Sequence, residues 1–88
     1  MKFFAALLSM RDPAKNQEFR SAHVEFLDQM QKEGRIFARG KFPDGSGGLV
    51  IYQCESLEDA QKIAESDPYV RHGVRSLELH EWDMKFTG

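Results

Sequence analysis

With one cysteine, the chain can form no intrachain disulfide and has neither a CxxC nor a Cys/His spacing for a metal. Cys54 falls in the apolar run Leu49-Val-Ile-Tyr-Gln-Cys54, where a free thiol reads as a packed strand residue and fits a reducing compartment, so a cytoplasmic location is expected. A basic excess is also missing. Twelve Lys and Arg stand against fourteen Asp and Glu, a net charge of -2, which argues against nucleic acid as a partner. No stretch approaches the ~18 apolar residues of a membrane span. The opening Met1-Lys-Phe-Phe-Ala-Ala-Leu-Leu8 carries one lysine and is soon followed by Arg11-Asp12, so it reads as a first strand rather than a secretory leader. No Walker sequence and no strand-to-helix GxGxxG occurs, so a nucleotide is not expected. His72 and His80 lack a His-x-x-x-His companion and read as surface residues, so no metal and no cofactor are expected. Ser46 has no evident base and is not a nucleophile candidate.

What is present is enough for one domain, 1–88, of mixed α/β pattern. Lys2 to Ser9 is a largely continuous apolar run, as expected of a strand covered on both faces. Met10-Arg-Asp-Pro13 is a turn, with Asp12 a cap and Pro13 at the first helical position. Ala14 to Glu33 reads as one helix, its stripe made of Phe19, Ala22, His23, Phe26, Leu27 and Met30, with Gly34 as its C-cap. Arg35 to Phe42 reads as a strand, with Gly40 marking a bulge or a close backbone approach. Asp44-Gly45 signals a hairpin into a third strand, Leu49 to Cys54. Ser56 caps a second helix, with Asp59 as its capping-box partner and Leu57, Ala60, Ile63 and Ala64 at helical spacing. That helix ends near Ser66, because Pro68 disfavours helical backbone at Asp67. Val70 to Gly73 is a connector. Val74 to Trp82 is a last strand with Leu77 and Leu79 on one face and Val74, His80 and Trp82 on the other.

The order strand–helix–strand–strand–helix–strand is that of a ferredoxin-like α+β domain, βαββαβ, with two helices on one face of a four-stranded antiparallel sheet. The other face has no cover within the chain yet contains apolar residues, so a homodimer packed sheet on sheet is expected, and the tail Asp83 to Gly88 is available to pair with a partner.

The set Arg20-x-x-His23, Glu33-Gly34-Arg35, Gly40, Ser56-Leu57-Glu58-x-Ala60-Gln61, Asp67-Pro68-Tyr69-Val70 and Gly73-Val74 resembles the YCII-related family over most of the chain. The resemblance implies a dimeric ferredoxin-like α+β barrel, similar in fold to muconolactone isomerases. It also implies a cleft holding a histidine and an aspartate, here His23 and Asp67. One branch of the family includes a dehydrochlorinase acting on a chlorinated hydroxyquinol. The family often has Gly-Pro at the end of the second strand, whereas here Gly40 is followed by Lys41-Phe42-Pro43.

The residues themselves single out the same two side chains. An imidazole on the sheet-facing side of a helix needs a hydrogen-bond partner, and a carboxylate at the end of the second helix, over the same sheet face, can supply it. The carboxylate would fix the ring's tautomer and leave the other nitrogen to act as acid or base. Arg20 is a candidate anion contact, and Phe42 and Tyr69 are candidate pocket walls. Gly45, Gly47 and Gly48 read as a plain hairpin turn. The leading expectation is a cofactor-free isomerase or lyase moving a proton on a small anionic or phenolic substrate. The alternatives are a dimer that binds a small ligand without turnover, and a dimer in which the pair only ties the helices together.

Overall fold

In the computed structural model, which describes residues 1–88, the opening run is strand β1 (Lys2–Met10). The chain continues through α1 (Pro13–Glu18), α2 (Arg20–Lys32), β2 (Ile36–Lys41), β3 (Gly47–Cys54), α3 (Leu57–Glu65), α4 (Pro68–Arg71) and β4 (Arg75–Trp82). The sheet is fully antiparallel in the order β2-β3-β1-β4. β1 is therefore paired on both sides, as its continuous apolar run requires. The architecture is ferredoxin-like α+β, with α2, α3 and α4 packed on one face of the sheet.

The pairing register sorts the side chains. Phe4, Ala6 and Leu8 lie opposite Tyr52, Val50 and Gly48 on one side and Glu81, Leu79 and Leu77 on the other. The first three, with Val50, Tyr52 and Cys54, form the core against Leu27 of α2 and Ala60 and Ala64 of α3. The two alanines let α3 lie close to the sheet, because neither interposes a long side chain. No helix is long and apolar enough to cross a membrane.

Strand ends shift by a residue or two from the sequence reading, and β3 begins at Gly47 rather than Leu49, so Gly47 and Gly48 pair with β1 instead of forming the turn. Three further departures have local reasons. The strand β1 runs on to Met10, whose N–H donates to the Ser46 carbonyl at 2.8 Å. The single helix expected over Ala14–Glu33 is two, broken at Phe19. The Asn16 carbonyl, which an unbroken helix would offer to Arg20, instead accepts the Tyr69 hydroxyl at 3.1 Å, and an inserted side chain of this kind interrupts a helix. The connector after Pro68 is a short helix, α4, opened by Asp67, whose side chain accepts from the Tyr69 N–H. Gly40 carries no bulge, since the register shift falls between Ile36 and Ala38.

The caps that fix these elements otherwise follow the sequence. Asp12 Oδ1 accepts from Lys15 N–H and Ser56 Oγ from Asp59 N–H, both at 3.1 Å. At the end of α2, Gly34 takes φ +76, its N–H reaching the Gln31 carbonyl while that of Arg35 reaches Met30, a Schellman closure.

Candidate functional site

The geometry of the site begins with α2. Its inward stripe places His23 one turn before Leu27, and both are buried. The Pro68 constraint ends α3 just before Asp67 and turns that carboxylate back across α2. His23 Nδ1 and Asp67 Oδ1 are 2.8 Å apart. Asp67 is 0% exposed and His23 8%, so the bond is shielded from water. A carboxylate only accepts, so Nδ1 donates in this bond, and in the neutral ring Nε2 keeps its lone pair. Asp67 Oδ1 also takes the Tyr69 N–H at 2.9 Å, which ties the carboxylate to the backbone of α4. Its other oxygen, Oδ2, is buried without a partner.

Tyr69 forms the next layer. Its ring stacks on the His23 imidazole, centroids 3.9 Å apart and planes 12° from parallel. Burial pushes its phenol up from the ordinary value, with nearby Arg75 and Arg20 opposing that shift. The Arg75 guanidinium lies over the same ring, 4.4 Å from the centroid, and its Nε donates to Asn16 Oδ1 at 3.1 Å. Burial pulls the Arg75 pKa down from its usual value. Tyr52, on the sheet beneath, is pushed up by burial and further by the Asp67 charge.

His23, Tyr69, Arg75 and Asn16 border a cavity of about 410 Å³ between α2 and the β2–β3 hairpin. His23, Arg20, Phe42 and Tyr69 all line it, so four of the five residues singled out from sequence converge on one space. Asp67 does not line it and stands behind His23. The sequence reading missed Arg39, Lys41, Arg75 and Asn16, which also line it. With Arg20, the wall holds four cationic side chains and no Asp or Glu. Only Arg39 among the four has a carboxylate partner, Asp28, at 2.8 Å. No local pattern marks the four missed positions, because they come from α1, β2 and β4 and meet only in the folded chain. The glycines of the hairpin are part of the same wall. No group of three or more His, Cys, Asp or Glu side chains is placed to hold a metal ion.

The YCII-related domain model matches residues 2–83. The chain is 40% identical over 79 residues to the uncharacterized protein YjpA of Bacillus subtilis, a match spanning 90% of this chain and 93% of the relative. It is 37% identical over 70 residues to the protein YciI of Escherichia coli, covering 68% and 71% respectively. Among solved structures it is similar to 5-chloro-2-hydroxyhydroquinone dehydrochlorinase (TftG) of Burkholderia phenoliruptrix, in complex with 2,5-dihydroxybenzoquinone. That match has a TM-score of 0.78 and 18% identity over 94% of this chain and 95% of that one.

Proposed function

The chain belongs to the YCII-related family, and on that footing we propose that it is a cofactor-free enzyme moving a proton on a small anionic or phenolic molecule. The observation that carries the reading is the shielded 2.8 Å bond between His23 and Asp67, with the imidazole bordering the cationic cavity. His23 Nε2 takes a proton from a carbon or hydroxyl made acidic by a neighbouring carbonyl or enol. Nδ1 stays hydrogen-bonded to Asp67, whose charge stabilises the imidazolium that forms and holds the ring in one orientation. Returning the proton to another atom of the same molecule gives isomerisation. Expelling a leaving group with its electron pair gives elimination, and the proton then leaves for water. Arg20 contributes to anion binding, while Phe42 and Tyr69 supply apolar walls that position a flat ring. The dehydrochlorinase with a quinone bound has the same fold, which fits this class of substrate without fixing it.

A homodimer in the cytoplasm is part of the same proposal. α2, α3 and α4 pack on one face of the sheet. On the other face Phe37 is 40% exposed and Trp82 45%, sharing it with Phe3, Leu7, Leu49 and Ile51. Two such faces packed together would bury a continuous apolar surface. The tail already lies on this face, with Phe86 edge-on to Phe37 at 5.4 Å.

Proton abstraction can be read without knowing the pathway, as deuterium uptake from heavy water into small enolisable acids and dihydroxyquinones followed by NMR. Wild type is expected to accelerate exchange in at least one of them. His23→Ala should lower that rate by about 10²–10⁴-fold and Asp67→Asn should lower it less. Saturable binding with no exchange would instead favour the non-catalytic ligand-binding module. Full exchange in folded His23→Ala would end the proposal.

A further inference from the structure

We propose that Arg75 is the residue that captures the anionic group of the ligand, and that the ligand is a compact organic acid held by a carboxylate or an equivalent pair of oxygens. Arg75 begins β4, two strands away from β3, and its guanidinium reaches across β1 to the hairpin. Its Nη1 lies 3.2 Å from where a side chain on Gly48 would begin. That side chain would also stand 2.7 Å from the Gly40 carbonyl, so glycine here keeps the floor of the cavity open beneath the guanidinium.

Two contacts hold the guanidinium in place. Nε is bonded to Asn16 Oδ1, and the planar group rests on the Tyr69 ring. The terminal nitrogens, the edge that pairs side by side with a carboxylate, are not used by either contact. No Asp or Glu lies within 4.0 Å of Arg75, although the group is half-buried. A partly desolvated cation with no carboxylate in contact is costly in the empty site, Asp67 acting on it only from a distance, and an arriving anion offsets that cost. Its lowered pKa, caused first by burial, reports the same desolvation. His23 and Arg75 lie against the Tyr69 ring, 3.9 Å and 4.4 Å from its centroid, and both line the same cavity, where one small molecule can meet both around the ring edge.

This inference rests on the cavity being a ligand site but not on His23 acting as a base. The experiment is an amide-detected NMR titration of the full chain with benzoate, 2-hydroxybenzoate and fumarate, each paired with its neutral amide. Wild type should bind at least one acid about tenfold or more tightly than its amide, with shifts centred on the cavity. Arg75→Gln should weaken the acid by about ten- to hundredfold while moving the amide less than about threefold. Arg75→Lys, which keeps charge but not the paired edge, should fall between. Equal weakening of acid and amide, in either variant whose amide spectrum keeps the folded dispersion, would overturn the inference. So would wild type binding no acid, or Arg75→Gln keeping the preference for acids. In that last case the reading of His23 stands, with Arg20 as the anion contact.

Discussion

Removing His23 tests the pair by its energetics. Asp67 is fully buried, one of its oxygens already has no partner, and the other is held by His23 and by the Tyr69 N–H alone. In His23→Ala the carboxylate keeps only the backbone bond. Taking away the side-chain donor of a buried carboxylate costs about 3 kcal/mol, because the charge is left with a single backbone partner. A chain of 88 residues is expected to have roughly 4–13 kcal/mol in total, so the variant folds but is markedly weakened. In urea at neutral pH, with a slope of about 1–2 kcal/mol per molar, the midpoint should drop by about 1.5–3 M. Asp67→Asn removes the charge but buries an amide nitrogen where Oδ2 has no partner, at about 1–3 kcal/mol. Adding Asp67→Asn to His23→Ala should therefore cost less than the two singles together, by about 1.5–3 kcal/mol of coupling. A double variant whose loss equals the sum of the two single losses, or a single His23→Ala loss below about 1 kcal/mol, would refute the reasoning.

Three further outcomes follow from particular residues. Burial raises the Tyr52 phenol above its ordinary value of 10.0, so the unfolded chain gives up that proton first. The associated stability is complete below pH 10 and is lost as pH rises above it, at up to about 1.4 kcal/mol per unit, and Tyr52→Phe should flatten that alkaline decline in urea titrations. Gly47 has φ +138 and a side chain there would overlap the Leu8 carbonyl, so Gly47→Ala should fail to give a cooperative thermal transition, while Gly40→Ala, with open space around it, should melt within a few degrees of wild type. Phe3→Asp on the uncovered sheet face, opposite Trp82, should convert the proposed dimer to monomer in light scattering, and a wild-type monomer at high concentration would overturn the dimer itself.

Much of the scaffold could be read in advance because its signals are local. Asp12-Pro13, Ser56 and Gly34 each act within a few residues, and Leu77 and Leu79 share a face by simple alternation. Half of the box at Ser56 is made: the hydroxyl accepts from Asp59, while no return bond from the shorter Asp59 side chain forms. The pair His23–Asp67 was also within reach, because a ferredoxin-like order puts both helices over one face. The same Asp-Pro signal that opens α1 recurs at Asp67-Pro68 and opens α4, a repetition the sequence reading passed over. The break at Phe19 was not legible, since it depends on a hydroxyl 53 residues away from Asn16. Arg75 was equally hidden. Its position in β4 is ordinary, and only the fold carries its guanidinium over β1 to the glycine floor.

The central claim is that Asp67 fixes the His23 ring so that Nε2, not Nδ1, meets a ligand in the cavity. Nitrogen-15 NMR of the labelled imidazole reads this directly. The account predicts that at neutral pH the proton of the neutral ring sits on Nδ1, that Asp67→Asn disturbs this tautomer, and that a bound organic acid shifts the Nε2 signal more than the Nδ1 signal. A proton on Nε2 in the free protein, or a His23 spectrum indifferent to a ligand that moves Arg20 and Tyr69, would contradict it.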